Sequence, residues 1–282
     1  MREELIRAQH LTYRYQTGHA ALEDVSLSVG RGEKIAVMGA NGAGKSTFFL
    51  NLNGVLNAQE GDIFFRGKRI GKRDYKELCR HVGVVFQDAD NQMIASTVEA
   101  EVAFGPVNLK LPQEEIKKRL EQALTYMDLQ SFRKRPPHYL SGGEKKRVSI
   151  ADIIAMKPEI ILFDEPAAAL DPVSAKMLER VLSELSKEGK TLLISTHDVD
   201  FAYRWAQRIV IFHQGKILAD GETLKIFSQE RLLEQAHLKK PEMLKIYEVL
   251  LERGLVRAGS YPRQADELAD CMEGIANNER NI

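Results

Sequence analysis

The stretch Gly39 to Thr47, GANGAGKST, sets two glycines, a lysine and a hydroxyl at the spacing Gly39-x-x-x-x-Gly44-Lys45-Ser46. That spacing suits a loop wrapped around phosphate. Gly42 and Gly44 have no Cβ to hold the backbone away from an anion. Inward-facing amides along Asn41, Gly42, Ala43, Gly44 and Thr47, with the positive end of a following helix, would form the cradle. Lys45 has the reach for the outer phosphates, and Ser46 offers its hydroxyl to Mg²⁺. Further on, EIILFDE (159–165) ends an apolar run in two acids. Asp164 can stand beside the Mg²⁺ shell, and Glu165 can act as general base on an attacking water. Gln87 closes VGVVFQ (82–87), where its side chain can reach Mg²⁺ or water. His197, in STHD (195–198), can touch a γ-phosphate and keep Glu165 and the water in line. The chemistry these residues describe is Mg²⁺-assisted hydrolysis at the phosphates of a nucleotide.

A second glycine-rich helix start lies about a hundred residues later, in LSGGEKKRV (140–148). Ser141, Gly142, Gly143 and Glu144 open a helical pattern there and are also suited to an anion. Two such starts on one chain raise the question whether they serve the same nucleotide.

Several elements must position these groups. LTYRY (11–15) and LEDVSLSV (22–29) alternate roughly with period two and read as strands. RGEKIAVMG (31–39) is a turn and a buried strand running into the glycine loop, and STFFLNLNGVL (46–56) is the helix after it. GDIFFRGKRI (61–70) is a strand with an Arg-Gly-Lys turn. Ser96-x-x-Glu99 has the form of a capping box, and Ile116, Leu120, Leu124 and Met127 make a helical stripe. Residues 96–156 therefore read as a helical insert. Asp171-Pro172 predicts an N-cap with proline at the first helical position, and Gly189 ends that helix. TLLIST (191–196) and RIVIFHQGKILADG (208–221) are further strands. Strands alternating with helices predict an α/β fold with a largely parallel sheet. The tail is polar and helical, with Met243, Leu244, Tyr247, Leu250 and Leu251 on one face of a helix started by Pro241.

Composition sets the boundaries. The chain has 282 residues, 44% hydrophobic and 28% charged, which is ordinary for a globular protein with a sizeable core. Forty basic residues balance forty acidic ones, so net charge gives no push toward nucleic acid. No apolar run approaches the ~18 residues of a membrane span, and MREELIRAQH has no signal-peptide core. Two cysteines, Cys79 and Cys271, predict no disulfide framework and a reduced, cytosolic setting. His138, His213 and His237 have no metal-ligand spacing.

The ordered set GANGAGKS, Gln87, LSGGE, ILFDE, ALD (169–171) and His197 resembles the ATPase subunits of ATP-binding cassette transporters, over residues 5–225. The resemblance implies a P-loop NTPase (RecA-like) core with an N-terminal antiparallel β subdomain and the helical subdomain inserted in it. It divides the chain into an ATPase domain, residues 1–226, and a C-terminal extension, 227–282, whose apolar face either closes a dimer or packs on its own domain. The resemblance also implies a head-to-tail dimer, with a second copy or a paralogous ATPase. The glycine loop of one subunit and the Ser-Gly-Gly of the other would sandwich each ATP, so the two helix starts serve two different nucleotides. Asp171 would lie at the dimer seam. Tyr15 matches the aromatic that stacks on adenine, with Tyr13 as the other candidate. Ala167, in DEPAAALD, replaces a residue that is often threonine, and no catalytic group is lost.

FQDADNQMIASTVEAEVAFGPVNLKLP (86–112) and PHYLSGGEKKRVSIA look like the energy-coupling factor importers. STHDVDFAYRWAQRIVIFHQGKILADG and the tail look most like the cobalt- or nickel-type branch. In that family the ATPases lie at the cytoplasmic face of the membrane, under a transmembrane T component and a substrate-binding membrane S component. The segment 88–94 is the expected contact with the T component. A vitamin importer of the same type, a soluble cassette ATPase and a non-hydrolysing subunit are the alternatives. The short interval from Gln87 to Ser141 argues against the soluble class, and intact Lys45, Glu165 and His197 argue against the inert one.

Overall fold

The computed structural model describes residues 3–16, 18–88, 93–168, 170–256, 258–259 and 261–279. In chain order the elements are β1 (Glu4–Arg14), β2 (Ala20–Gly30), β3 (Lys34–Met38), α1 (Lys45–Asn53), β4 (Glu60–Phe65), β5 (Lys68–Arg69), α2 (Tyr75–His81) and β6 (Val82–Val85). Then come α3 (Val98–Asn108), α4 (Gln113–Tyr126), α5 (Gly142–Met156), β7 (Ile160–Asp164), α6 (Pro172–Lys187), β8 (Thr191–Ser195) and α7 (Val199–Trp205). The chain finishes with β9 (Arg208–His213), β10 (Lys216–Glu222), α8 (Thr223–Phe227), α9 (Glu230–Gln235), α10 (Glu242–Glu252) and α11 (Ala265–Glu279).

Two sheets result. The smaller is antiparallel, in the order β2-β1-β4-β5. The larger runs β10-β9-β3-β8-β7-β6 and is parallel except for the edge strand β10. Every residue of β7 (IILFD) and β8 (TLLIS) is buried, the pattern of strands covered on both faces. β8 pairs with β3 on one side and β7 on the other, with Ser195 level with Val37 and with Asp164. The ends of β3, β7 and β8 therefore open on one edge of the sheet, the usual ligand edge of a parallel α/β fold. The α/β architecture agrees with the sequence reading.

Three helices, α3, α4 and α5, lie between β6 and β7. Their apolar sides share one core with β7, α6 and β8, including Val102, Leu124, Val148, Phe163 and Leu182. The cap of α3 differs from the expected box. Thr97, not Ser96, is the N-cap, and its hydroxyl accepts from Ala100 N–H. Glu99 is drawn off to Arg133 and Lys134, whose opposite charges outcompete a backbone amide. The strand expected over 82–87 ends at Val85, which leaves Gln87 in the following loop. α2 and α7 have no counterpart in the sequence reading, because each is only seven residues long.

Part of the tail packs on the preceding elements of the same chain. Leu244 and Tyr247 are fully buried, and Leu244 joins Ala202, Tyr203, Ile226, Phe227 and Leu233 in one cluster. Burial of a leucine contributes ~2 kcal/mol. Three bonds tie the tail to α7 and its C-cap, Ala206. Glu242 N–H donates to Asp200 Oδ1 at 2.7 Å, Tyr203 Oη to Pro262 O at 3.2 Å, and Arg263 Nη1 to Ala206 O at 2.6 Å.

Candidate functional site

The glycine loop between β3 and α1 is shaped first by the protein itself. Gly39 has φ +140°, and a Cβ there would lie 2.2 Å from the Phe212 carbonyl of β9. Gly44, at φ +108°, has the Ala21 carbonyl 2.5 Å from the same position. Both glycines are therefore required for the loop to lie against β9 and β2. Lys45 opens α1 and is 5% exposed. Its Nζ donates to the carbonyls of Gly39 at 2.7 Å and Ala40 at 3.1 Å, and burial lowers its pKa.

A cleft of about 520 Å³ is lined by Tyr15, His19, Ala20, Ala21, residues 41–47, Gln87 and Glu165. It gathers Asn41, Gly42, Ala43, Gly44, Lys45, Ser46 and Thr47 with two of the downstream polar candidates. Tyr15 is 44% exposed, and its Oη is 3.1 Å from Thr47 Oγ1. Tyr13 packs against the core and meets Tyr15 edge to face. Tyr15 is thus the tyrosine that borders the cleft.

A neighbouring recess of about 350 Å³ is lined in part by Ser46, Gln87, Asp88 and Asp164. No cluster of three or more His, Cys, Asp or Glu suited to a metal occurs among the described residues. One hydroxyl, one amide and two carboxylates on a common recess fit a hard ion held jointly with phosphate oxygens, as Mg²⁺ is in NTPases.

β7 delivers Asp164 and the next residue, Glu165, to this edge. Glu165 Oε1 lies 4.0 Å from Lys45 Nζ, and Oε2 lies 3.6 Å from His197 Nδ1. The Glu165 side chain is 12% exposed and that of His197 74%. Glu165 has φ +43°, a left-handed conformation that costs a non-glycine residue on the order of 1–3 kcal/mol. Ser195, for which the STHD motif suggests no role, touches both acids. Its hydroxyl donates to Asp164 Oδ1 at 2.5 Å and accepts from Glu165 N–H at 2.9 Å. Lys146 is the second residue missed. Its buried Nζ donates to the carbonyls of Phe86 and Gln87.

The second helix start lies elsewhere. Ser141 caps α5 with a full capping box: its hydroxyl accepts from Glu144 N–H at 3.3 Å, and its own N–H donates to the Glu144 carboxylate at 2.7 Å. That bond holds the Glu144 carboxyl below the usual range. Asp171 caps α6 by accepting from Val173 N–H and Ser174 N–H, and the Ser174 hydroxyl holds its pKa down. The two caps are adjacent, since a Cβ on Gly143 would lie 3.8 Å from Asp171 Oδ2. Ser141, Gly142, Gly143, Glu144 and Asp171 do not line the 520 Å³ cleft. Gly142 has no positive φ, and its missing Cβ faces open space. Ala169 and most of the expected membrane-partner segment, residues 89–92, lie outside the described residues.

Residues 22–168 match the family model described as ABC transporter. The chain is 43% identical, over 96% of its length and 69% of the relative, to an energy-coupling factor transporter ATP-binding protein, EcfA2, of Methanospirillum hungatei. Among solved structures it is similar to cbiO1 of Clostridium perfringens, part of the ABC transporter complex cbiONQ, with a TM-score of 0.73 and 35% identity over 89% of this chain and 99% of that one. It is also similar to an ATP-binding cassette solved as a dimer in a post-hydrolysis state with ADP and Pi, with a TM-score of 0.71 and 29% identity over 78% of this chain and 99% of that one.

Proposed function

The chain belongs to the ABC transporter family, and from that footing we propose that it is the ATPase of an energy-coupling factor importer whose cargo is cobalt or nickel. ATP hydrolysis coupled to transport is the activity of the family. The EcfA2 name of one relative supports the importer type. The motif likeness of STHD and the tail to the cobalt- or nickel-type branch supports the cargo, and the cbiONQ complex of one structural neighbour supports a place in a transporter complex. The cargo itself would be chosen by a membrane subunit, and this chain would supply the power stroke.

The observation that carries the reading is the meeting of Lys45, Glu165 and His197 around the glycine loop. Residues 41–47 cradle the phosphates, with Lys45 leaving its loop carbonyls to meet the outer ones. Tyr15 stacks on the base. Ser46, Gln87 and Asp164 would hold Mg²⁺, which when bound neutralises phosphate charge as the leaving oxygen departs. Glu165 takes the proton of the attacking water. His197, 3.6 Å away, steadies that carboxylate and reaches toward the γ-phosphate.

A subunit with one nucleotide cleft and a remote, solvent-facing Ser141–Gly143 start needs a second subunit to bring the two together. The similar cassette captured as a dimer supports this arrangement. Residues 1–226 would form the ATPase domain, and 227–282 an extension anchored on it. No helix among the described residues is long and apolar enough to cross a membrane. As in the family it resembles, attachment would run through the T component at the cytoplasmic face, beside the Gln87 loop and α3, where Ile94 and Phe104 are exposed.

The test is uptake. The chain is produced with the membrane components encoded beside its gene, and accumulation of radiolabelled cobalt, nickel, riboflavin and biotin is measured with and without Lys45→Ala. Cobalt or nickel uptake that the substitution abolishes is expected. Uptake of a vitamin alone would move the cargo to the vitamin branch, and uptake indifferent to Lys45 would overturn the coupling.

A further inference from the structure

β8 is an apolar strand with one anomaly at its end. Leu192, Leu193 and Ile194 are fully buried, and so is Ser195. A buried hydroxyl is costly unless its bonds are made. Ser195 makes two, and both go to the acids at the end of the neighbouring strand β7. The pairing register explains why it can, since Ser195 lies level with Asp164.

The two bonds act on different parts of the site. The bond to Asp164 Oδ1 orients a side chain, and the bond from Glu165 N–H fixes a backbone. The second matters because Glu165 stands at φ +43°, where an L-residue does not settle without support. Relaxation of that φ would swing the Glu165 carboxylate away from Lys45 Nζ and His197 Nδ1, now 4.0 and 3.6 Å from it.

We propose that Ser195 is a positioning residue for ATP hydrolysis, one buried hydroxyl that holds both Asp164 and the left-handed Glu165 in working orientation. It touches no substrate itself. The inference rests on the reading of Glu165 as the general base.

The experiment uses the full chain with Ser195→Ala, Ser195→Thr, Glu165→Gln and the double variant Ser195→Ala/Glu165→Gln. Alanine removes both bonds at little change in volume, and threonine keeps the hydroxyl. A small displacement of a catalytic group costs up to ~100-fold in rate. Ser195→Ala is therefore expected to lower kcat roughly 10- to 100-fold, while affinity for a fluorescent ATP analogue, measured without Mg²⁺, stays within about twofold. Ser195→Thr is expected to recover most of the rate. In the double variant the loss should not add to that of Glu165→Gln, because both act through one group.

Ser195→Ala with normal kcat beside an inactive Glu165→Gln overturns the proposal and leaves the base reading standing. An active Glu165→Gln removes the base reading itself. Should Ser195→Ala fail to fold, Ser195→Thr decides. A threonine variant that is folded, binds the analogue and is as slow as Glu165→Gln overturns the proposal, because the hydroxyl is present without its effect.

Discussion

Lys146 joins the start of α5 to the loop that carries Gln87. From the second turn of that helix, its Nζ donates to Phe86 O at 2.6 Å and Gln87 O at 3.0 Å. The side chain is 4% exposed, and burial pushes its pKa down to about 8. Ser141, which caps the same helix, thus shares a rigid element with the anchor of a residue expected beside the nucleotide.

Lys146→Met should loosen the Gln87 loop without opening the core. Each lost bond to a buried carbonyl is worth on the order of 1–3 kcal/mol. The expected outcome is faster hydrogen exchange over residues 85–88 and a kcat lowered several-fold, with ATP affinity little changed. Unchanged exchange there would show that the loop is held by other contacts.

Glu165→Gln should bind ATP and barely turn it over, with kcat reduced by ~10²-fold or more for loss of a general base. Trapped nucleotide should accumulate a dimer visible by size exclusion with light scattering. Near-normal turnover would remove Glu165 from its assigned role.

Lys45→Ala removes a buried cation from the glycine loop. A charge-assisted bond contributes ~1.5–3 kcal/mol, so ATP affinity should fall roughly 10- to 100-fold. Isothermal titration measures this directly, and wild-type affinity would refute the phosphate contact.

Gly142→Ala offers a test of the second helix start. The space at its Cα is open and its backbone conformation is ordinary, so the melting temperature of the isolated chain should not change. In the Glu165→Gln background the same change should weaken the ATP-induced dimer, since a methyl would stand where phosphate is to approach. A dimer of undiminished stability would place the nucleotide elsewhere.

Asp152, in α5, carries a pH-dependent cost. Burial, with the Glu101 carboxylate nearby, raises its pKa to about 7, and its Oδ1 has no partner among the described residues. A folded value above the unfolded one means stability that is full below the unfolded carboxylate range and lost as pH rises toward 7. Asp152→Asn, neutral at every pH, should therefore gain on wild type by ~1–3 kcal/mol near pH 8, roughly 2–8 °C, and by less at pH 5. Melting curves at both values check it. A gap that shrinks as pH rises would reverse the assignment.

The sequence allowed the glycine loop before α1, the paired acids 164–165 at the end of β7 and the helix starts at Ser141 and Asp171 to be read because each depends on neighbours in the chain. Gly44 shows the limit. Its glycine is needed for close approach to the Ala21 carbonyl, a contact that only the folded sheet reveals. Ser195 and Lys146 were hidden for the same reason: their partners are 31 and 60 positions away at the longest bond. Thr97 was missed in favour of Ser96 because adjacent hydroxyls are equivalent until tertiary charges claim Glu99. Periodicity marks the tail face as apolar, but it cannot name the elements it shares a core with, among them α7, α8 and α9.

The three bonds that fasten the tail to α7 give it a practical use. α7 begins two residues after His197, so whatever the tail carries is mechanically in series with that histidine. A fluorophore placed on Cys271, after replacement of Cys79, would sit on this linkage, and a change in its brightness during ATP turnover would show that motion beside His197 reaches the tail.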